Sequence, residues 1–224
     1  MCAAGTTGSF DWRDAVIYFV FVDRFNDGGV ANCSVSANGS PLPPIANYQG
    51  GDWPGVTKKI QDGYFNSLGV NTLWLTVPLA NTHNAGQGTS GDTHSYSGYH
   101  GYWPYDLKAI DPHFGTLEDF KVLVKSAHSL GLRVILDQVI NHFGYGAPQV
   151  ADHPDWFHKS PSCLNLGNAE VNCPLAGLPD LAQENPEVER FLRENQKFWS
   201  DLGVDGFRYD QVSVIDHDGA PHGW

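Results

Sequence analysis

The feature that most constrains the fold is a regular alternation of apolar runs of strand length with amphipathic segments of helical period. The expected strands are residues 16–22, 71–79, 132–140 and 206–212. The expected helices, with their caps, fall between them at residues 57–68, 116–131 and 185–203. Because strand–helix–strand units join parallel neighbours, the sequence predicts an α/β fold built on a parallel sheet.

Two of these helices carry recognisable start signals. Thr116 is followed three residues later by Asp119, which is a weaker form of the capping box. Asn185 is followed by Pro186, a cap with proline at the first helical position. These signals predict where the second and third helices begin.

Polar residues gather after the C-terminal end of each expected strand, where (β/α)8 barrels place their chemistry. The competing architecture is a doubly wound open sheet, but no Gly-rich phosphate turn follows the first strand. We therefore predict the (β/α)8 (TIM) barrel type, present as a partial barrel of about four βα units, since a closed barrel has eight. The expected parts are residues 1–142 (strands one to three), a small irregular loop domain at 143–178, and a truncated return to the barrel at 179–224.

The net charge of −12 argues against a nucleic-acid backbone or an anionic membrane surface as a partner. No stretch approaches the eighteen apolar residues that a membrane span requires. Two cysteines, Cys163 and Cys173, lie ten residues apart in a segment rich in Asn, Pro and Gly. A disulfide there would pin a loop and favours an extracellular or periplasmic location, although no secretion signal is visible and reduced cysteines are the alternative.

The residues with the clearest chemical meaning close the fourth expected strand. Arg208 and Asp210 are two positions apart, so on a strand both side chains point to the same face. A guanidinium in that position can hold the carboxylate ionised at neutral pH, and an oriented carboxylate is what covalent attack on a sugar carbon requires. The simpler interpretation is a structural ion pair at a strand end.

Four sequence motifs, taken in their order along the chain, resemble those of the α-amylase family, glycoside hydrolase family 13. They are Gly98-Tyr-His-Gly-Tyr-Trp103, Asp137-Gln-Val-Ile-Asn-His142, Leu178-Pro-Asp-Leu181 and Gly206-Phe-Arg-Tyr-Asp210. The resemblance covers roughly residues 12–212. Two further motifs look most like those of the cyclodextrin glucanotransferase and maltogenic amylase branch, namely Asp23-Arg-Phe-Asn-Asp-Gly28 and Gly50-Gly-Asp-Trp53. The resemblance implies a (β/α)8 barrel with a loop domain after the third strand. It also implies retaining cleavage or transfer of α-1,4 bonds in starch, glycogen or maltooligosaccharides.

The same resemblance implies a role for individual residues. Asp210 would be the nucleophile and Arg208 its orienting partner. Four residues would bind the substrate. His142 and His100 would hydrogen-bond sugar hydroxyls, and Tyr102 would stack on the sugar ring. Asp137 would brace the site. Asn141 would be a calcium ligand at the root of the loop domain.

A second structural calcium site is suggested near the N-terminus. Asp27, Asn32, the carbonyl of Gly50 and Asp52 match a site of the glucanotransferase branch, and calcium prefers such oxygen ligands. The alternative is an Asx-rich turn that holds no ion.

Two departures from the family pattern leave the function open. The family's acid/base glutamate follows the fifth strand, so the chain resembles an N-terminal half. Ser213 and Val214 stand where the family commonly has a Lys-His pair. An α-glucan-active enzyme is therefore weighed against a non-catalytic glucan-binding or scaffold protein. If the chain ends at Trp224, an open barrel edge predicts self-association.

Overall fold

The computed structural model describes residues 10–31, 35–37, 40–82, 84–87 and 94–211. Its strands are Ile17–Val20 (β1), Ser36–Ala37 (β2), Ser40–Pro41 (β3), Thr72–Leu75 (β4), Leu79–Asn81 (β5), Gly86–Gln87 (β6), Ser95–Tyr96 (β7), Pro104–Ile110 (β8), Arg133–Gln138 (β9) and Gly206–Tyr209 (β10). Its α-helices are Val22–Phe25 (α1), Trp53–Gln61 (α2), Tyr64–Ser67 (α3), Leu117–Ser129 (α4), Gln149–Asp152 (α5), Ala169–Asn172 (α6) and Pro186–Asp201 (α7). Short 3₁₀ turns lie at Trp12–Asp14, Pro44–Ala46, Ser162–Leu166 and Leu175–Gly177.

The centre of the described structure is a four-stranded parallel sheet in the order β1-β4-β9-β10. The strands follow one another in space as they do along the chain, with α2 and α3, α4 and α7 as the crossovers. The predicted α/β alternation and parallel sheet are thereby confirmed. One face of the sheet packs into the hydrophobic core, where Leu73, Leu75, Val134 and Leu136 are fully buried.

Both predicted helix starts are confirmed. The Thr116 side chain accepts the amide hydrogen of Asp119 and the Asp119 carboxylate accepts that of Thr116, which completes a capping box for α4. The Asn185 side chain accepts the amide hydrogen of Glu187, with Pro186 at the first position of α7. These contacts satisfy amide groups that have no partner inside a helix.

Several predicted boundaries are wrong. The strand predicted at 16–22 ends at Val20, because the Val22 amide leaves the ladder and donates to Thr76 Oγ1 at 3.2 Å. The helix predicted at 57–68 starts at Trp53, where Asp52 caps it, and is broken at Gly63, which has the left-handed φ of 72°.

The strand predicted at 71–79 is also divided. It ends at Leu75, and β5 forms a separate antiparallel pair with β8, which the sequence analysis missed. Pro78 lies between the two pieces and has no amide hydrogen to continue the first ladder. The last two strands of the sheet are shorter than expected, and residue 212 lies outside the described residues.

The segment predicted as a loop domain, residues 143–178, contains short helices and 3₁₀ turns and no strand among the elements assigned to it. Cys163 and Cys173 form a disulfide, which decides between the two states left open by the sequence. Isolated bridges join His142 to Asp180 and Phe157 to Leu181, so the segment returns to the end of β9. None of the helices in the described part of the chain is long and apolar enough to cross a bilayer.

The other face of the sheet is apolar and incompletely covered. Ile17 and Phe19 of β1 are 52 % and 41 % exposed, and Trp74 and Ile135 beside them are half-buried. The β1 and β10 strands lie at the two edges of the sheet. Such an apolar face and such edges favour association with other chains.

We expect the 224-residue chain to self-associate through this face, so that light scattering gives a mass above 24.6 kDa that rises with concentration. Phe19→Lys should shift the population towards the monomer, because it places a charge on the exposed apolar face. The matched control is Val122→Lys on α4, since Val122 is 44 % exposed but lies away from the sheet. A monodisperse monomer at every concentration would contradict this expectation.

Candidate active site

Three charged side chains meet at the C-terminal ends of β9 and β10. The strand register places Arg208 opposite Asp137. Arg208 Nη1 donates to Asp210 Oδ1 at 2.7 Å and to Asp137 Oδ1 at 3.0 Å. The prediction that Arg208 and Asp210 share one side of the strand is confirmed. One guanidinium therefore holds two carboxylates at the edge where barrel enzymes place their chemistry.

The two carboxylates differ in exposure. Asp137 is completely buried, whereas the side chain of Asp210 is 19 % exposed. Asp137 also accepts a hydrogen bond of 2.8 Å from the Tyr102 hydroxyl. Burial raises the pKa of Asp137, and the hydrogen bonds from Tyr102 and Arg208 oppose that rise. This placement fits the predicted bracing role of Asp137 and leaves Asp210 as the carboxylate that a ligand can reach.

The two predicted substrate histidines lie next to this group. Burial lowers the pKa of His142, and burial together with nearby His142 lowers the pKa of His100 to about 4, so both rings are neutral at pH 7. His100 Nδ1 accepts the Tyr102 amide hydrogen at 2.9 Å, and His142 Nε2 lies 3.0 Å from the Tyr102 carbonyl. The proton of neutral His100 is therefore on Nε2, and that of His142 is on the nitrogen that donates to the carbonyl.

Aromatic rings continue from these residues. The His100 ring is stacked at 5.9 Å on Tyr102 and lies edge-on to Trp103 at 4.5 Å. Trp103 is almost buried, and its amide donates to Asn81 Oδ1 at 2.8 Å. The sequence analysis missed Asn81, although a buried polar residue at the end of an apolar run is the signal that indicates it. Tyr102 is half-buried, so part of its ring is open to solvent.

At the root of the loop domain, side-chain nitrogen atoms contact the Asp180 carboxylate. Asn141 Nδ2 donates to Asp180 Oδ1 at 3.2 Å, and His158 Nδ1 lies 2.8 Å from Asp180 Oδ2. His158 Nε2 lies 2.8 Å from Glu184 Oε1. Calcium prefers six to eight oxygen ligands, and both Asp180 oxygens here face nitrogen donors. Calcium at Asn141 stays a prediction that the described arrangement does not favour.

The contact between His158 and Asp180 depends on pH. Its hydrogen bond to Asp180 raises the pKa of His158 to about 9, with burial opposing and Glu184 adding to the rise. Because the folded-state pKa lies above the unfolded value near 6.5, the stabilisation is complete below about pH 6.5 and is lost as the pH rises through about 9. Burial also raises the pKa of Asp180, which reduces the net effect.

We expect the free energy of unfolding to fall by about 1–2 kcal/mol between pH 6 and pH 10 through this contact. That corresponds to roughly 2–8 °C in Tm for a chain of this size. His158→Gln should lower Tm at pH 6 and make Tm depend less on pH. The control is His153→Gln at an exposed histidine, which should leave the pH dependence of Tm unchanged. Equal pH profiles for the original chain and His158→Gln would show that this contact is energetically unimportant.

The N-terminal calcium prediction meets a similar arrangement. Asp52 Oδ1 accepts amide hydrogens from Gly28 at 2.9 Å and Gly55 at 2.7 Å, and Asp52 Oδ2 accepts that of Val30 at 2.9 Å. Asp27 Oδ1 accepts the amide hydrogen of Gly29 at 2.7 Å.

These contacts fit the Asx turn and helix cap without an ion better than a calcium site. Asn32, a further predicted ligand, lies outside the described residues, as do Ser213 and Val214. Gly50, the predicted carbonyl ligand, has the left-handed φ of 96°. Among the described residues, no group of three or more His, Cys, Asp or Glu side chains could hold a metal ion. Calcium at Asp27, Asn32, Gly50 and Asp52 remains a prediction.

Comparison with known proteins identifies the class to which this sheet and site belong. Residues 19–165 match the family model described as Alpha amylase, catalytic domain. The chain therefore belongs to the α-amylase family, and the predicted family and partial (β/α)8 barrel are confirmed. The described structure has four strands of the parallel sheet and is not closed into a barrel.

Individual relatives include both transferases and hydrolases. The chain is 32 % identical to a cyclomaltodextrin glucanotransferase of Geobacillus stearothermophilus over 99 % of this chain and 33 % of that protein. It is 41 % identical to a solved Anoxybacillus α-amylase, with a TM-score of 0.76 over 93 % of this chain and 43 % of the other. A Geobacillus thermoleovorans α-amylase complexed with acarbose gives 40 % identity and a TM-score of 0.74, over 92 % of this chain and 42 % of that one. The chain thus spans about a third of the length of its curated relatives.

Proposed function

We propose that this chain contributes the nucleophile side of a retaining α-1,4-glucan hydrolase or glucanotransferase, with Asp210 as the nucleophile. The observation that carries the proposal is the ion pair in which Arg208 orients Asp210 while being held by buried Asp137. The relatives named as α-amylases and cyclomaltodextrin glucanotransferases support starch, glycogen or maltooligosaccharides as the substrate. Hydrolysis and transfer differ in whether water or a sugar hydroxyl receives the glycosyl group.

In the proposed step, an Asp210 oxygen forms a bond to the anomeric carbon as the glycosidic carbon–oxygen bond breaks. The departing oxygen takes a proton from a second carboxylic acid, which in retaining enzymes lies about 5 Å from the nucleophile. The family pattern expects that acid after a fifth strand, and the described parallel sheet has four. Arg208 orients Asp210 for the attack through their 2.7 Å ion pair.

The surrounding polar groups suit a sugar at this position. Neutral His100 carries its proton on Nε2 because Nδ1 accepts from the Tyr102 amide, so Nε2 can donate to a sugar hydroxyl. Burial and nearby Asp137 raise the pKa of Tyr102, so its hydroxyl stays protonated and keeps its bond to Asp137. The half-buried Tyr102 ring supplies an apolar surface for a pyranose face.

A cleft with mixed apolar and polar walls supports the binding of a longer neutral chain. The cleft of about 390 Å³ has apolar walls that include Pro41 and Leu42 and polar groups that include Ser95 and Tyr96. None of the described residues that line it is Asp, Glu, Lys or Arg, although the chain as a whole carries 25 acidic residues. The Ser97 amide beside Tyr96 donates to the Ala46 carbonyl at 2.9 Å, which ties the two walls together. We propose that distal units of the glucan pass this cleft.

A glycosyl fluoride tests the nucleophile separately from the acid, because fluoride leaves without being protonated by the protein. We expect α-maltosyl fluoride with a second fluorine at C5 of the reacting ring to label the chain. Mass spectrometry of peptides should place the sugar on Asp210, and maltoheptaose should slow the labelling by competition. Maltoheptaose binding without any labelling would instead indicate a non-catalytic glucan-binding protein. Labelling at a different residue would overturn the assignment of Asp210.

We also propose an extracellular or periplasmic location. The disulfide between Cys163 and Cys173 supports it, because disulfides persist in oxidising compartments and are rare in the cytosol. Mass spectrometry of the chain isolated from its native source, with free thiols blocked first, would test this by the state of the two cysteines.

A further inference from the structure

Arg24 links the first strand to the loop that carries the candidate substrate residues. It lies on α1, directly after β1, and its side chain is 27 % exposed. Its Nε lies 3.1 Å from Oδ2 of buried Asp23, and its Nη2 donates to the Ile45 carbonyl at 3.1 Å. Its Cζ lies 4.0 Å above the centre of the Tyr99 ring. Three different contacts therefore fix the plane of this guanidinium.

Tyr99 passes this constraint to the candidate active site. Its ring lies edge-on to Phe21 at 6.0 Å and to His100 at 5.5 Å. His100 in turn accepts the Tyr102 amide hydrogen, and the Tyr102 hydroxyl donates to Asp137. A continuous series of contacts thus runs from Arg24 to the carboxylate that holds Arg208.

We propose that Arg24 is a positioning residue that, through the Tyr99 ring, fixes the orientation of His100 towards a bound glucan. The glucan part of this inference rests on the proposed function. Arg24 acts through the ring and need not touch the sugar. An arginine suits this task better than a lysine, because its flat guanidinium can stack on a ring while its edge donates to a carbonyl and a carboxylate.

The ligand-free protein provides the first readout, the pH titration of the His100 ring followed by NMR. The signal is assigned by its loss in His100→Gln. Burial holds the pKa of His100 low. In Arg24→Met the Tyr99 ring loses the guanidinium that packs on its face, so water should reach His100. The midpoint of the His100 titration should therefore rise by roughly 0.5 pH units or more. Arg24→Lys, which retains a cation over the ring, should give a smaller rise.

The second readout is the affinity for maltoheptaose, measured by calorimetry on the full chain. Arg24→Met should weaken binding by about three- to tenfold, in line with the size of a cation–π contact. Tyr99→Phe retains the ring and should bind as the original chain does, whereas Tyr99→Leu should bind as weakly as Arg24→Met. In the Tyr99→Leu background, Arg24→Met should cause no further loss, because both changes break the same contact.

Arg133 is a matched control. Its Cζ lies 5.3 Å from the Phe10 ring and its Nη1 lies 3.3 Å from Asp205, so Arg133→Met also removes a cation–π contact and an ion pair, at the opposite end of β9. It should lower Tm without moving the His100 titration. An unchanged titration in Arg24→Met, or an equal shift in Arg133→Met, would overturn the proposal. If the original chain fails to bind maltoheptaose, the glucan function falls, and the ligand-free titration still decides the role of Arg24.

Discussion

Asp210→Asn is expected to reduce covalent labelling by the fluorinated maltosyl fluoride at least about 10³-fold, because an amide oxygen is a far weaker nucleophile than a carboxylate. The substitution preserves the volume of the side chain and one oxygen that can accept from Arg208. Binding of maltoheptaose should therefore remain within about threefold of the original chain. Labelling rates and calorimetry measure the two effects separately.

Asp62→Asn provides the control for this variant, since it makes the same chemical change at an exposed position after α2. It should label at the original rate. If Asp210→Asn labels as fast as the original chain, Asp210 is not the nucleophile. If it loses sugar binding and labelling together, the loss cannot be assigned to the chemical step.

Asp137→Ala is expected to have the largest effect on stability. Asp137 is completely buried and accepts hydrogen bonds from both Arg208 and Tyr102. Removing one partner of a buried ion pair leaves the other charge without compensation and typically costs about 3–5 kcal/mol. Because the Arg208 side chain is 36 % exposed and can be solvated, we expect a cost below that range, about 2–3 kcal/mol, or roughly 4–12 °C in Tm.

Asp137→Asn keeps the shape of the side chain and an acceptor for Tyr102, so it should cost less than Asp137→Ala. The exposed control Asp62→Ala should change the free energy of unfolding by less than about 0.5 kcal/mol. Denaturant unfolding of the three variants gives the comparison. Equal stability of Asp137→Ala and the original chain would show that Arg208 finds sufficient solvation without Asp137, and that the ion pair is not structural.

The local features of the fold could be predicted because they depend on residues close together in sequence. The capping box of Thr116 and Asp119 and the Asn185-Pro186 start each involve neighbours within one turn. The same-side placement of Arg208 and Asp210 follows from strand geometry alone. Boundaries were less predictable. The end of β1 depends on Thr76, a residue more than fifty positions away, and the β5–β8 pair depends on two segments whose pairing no local pattern encodes.

The candidate site shows the same division. The sequence motifs identified five site residues, Asp210, Arg208, His142, Tyr102 and His100. In the structure these residues form one connected group of contacts with Asp137. The surroundings of the group were not predictable. His158, which lies against Asp180 and Glu184 beside Asn141, comes from a segment with no recognisable sequence pattern.

By itself, the sequence determined the alternating α/β architecture, the family and the strand ends at which charged residues lie. It could do so because hydrophobic periodicity and short motifs depend on the local geometry of the chain. Only the tertiary structure decided that Arg208 bridges Asp210 to Asp137, 71 positions before it, and that Arg24 lies on the Tyr99 ring. The physical reason is that such contacts depend on the register of adjacent strands and on how loops fold back over them. Each is the sum of many weak packing interactions that no single stretch of sequence records.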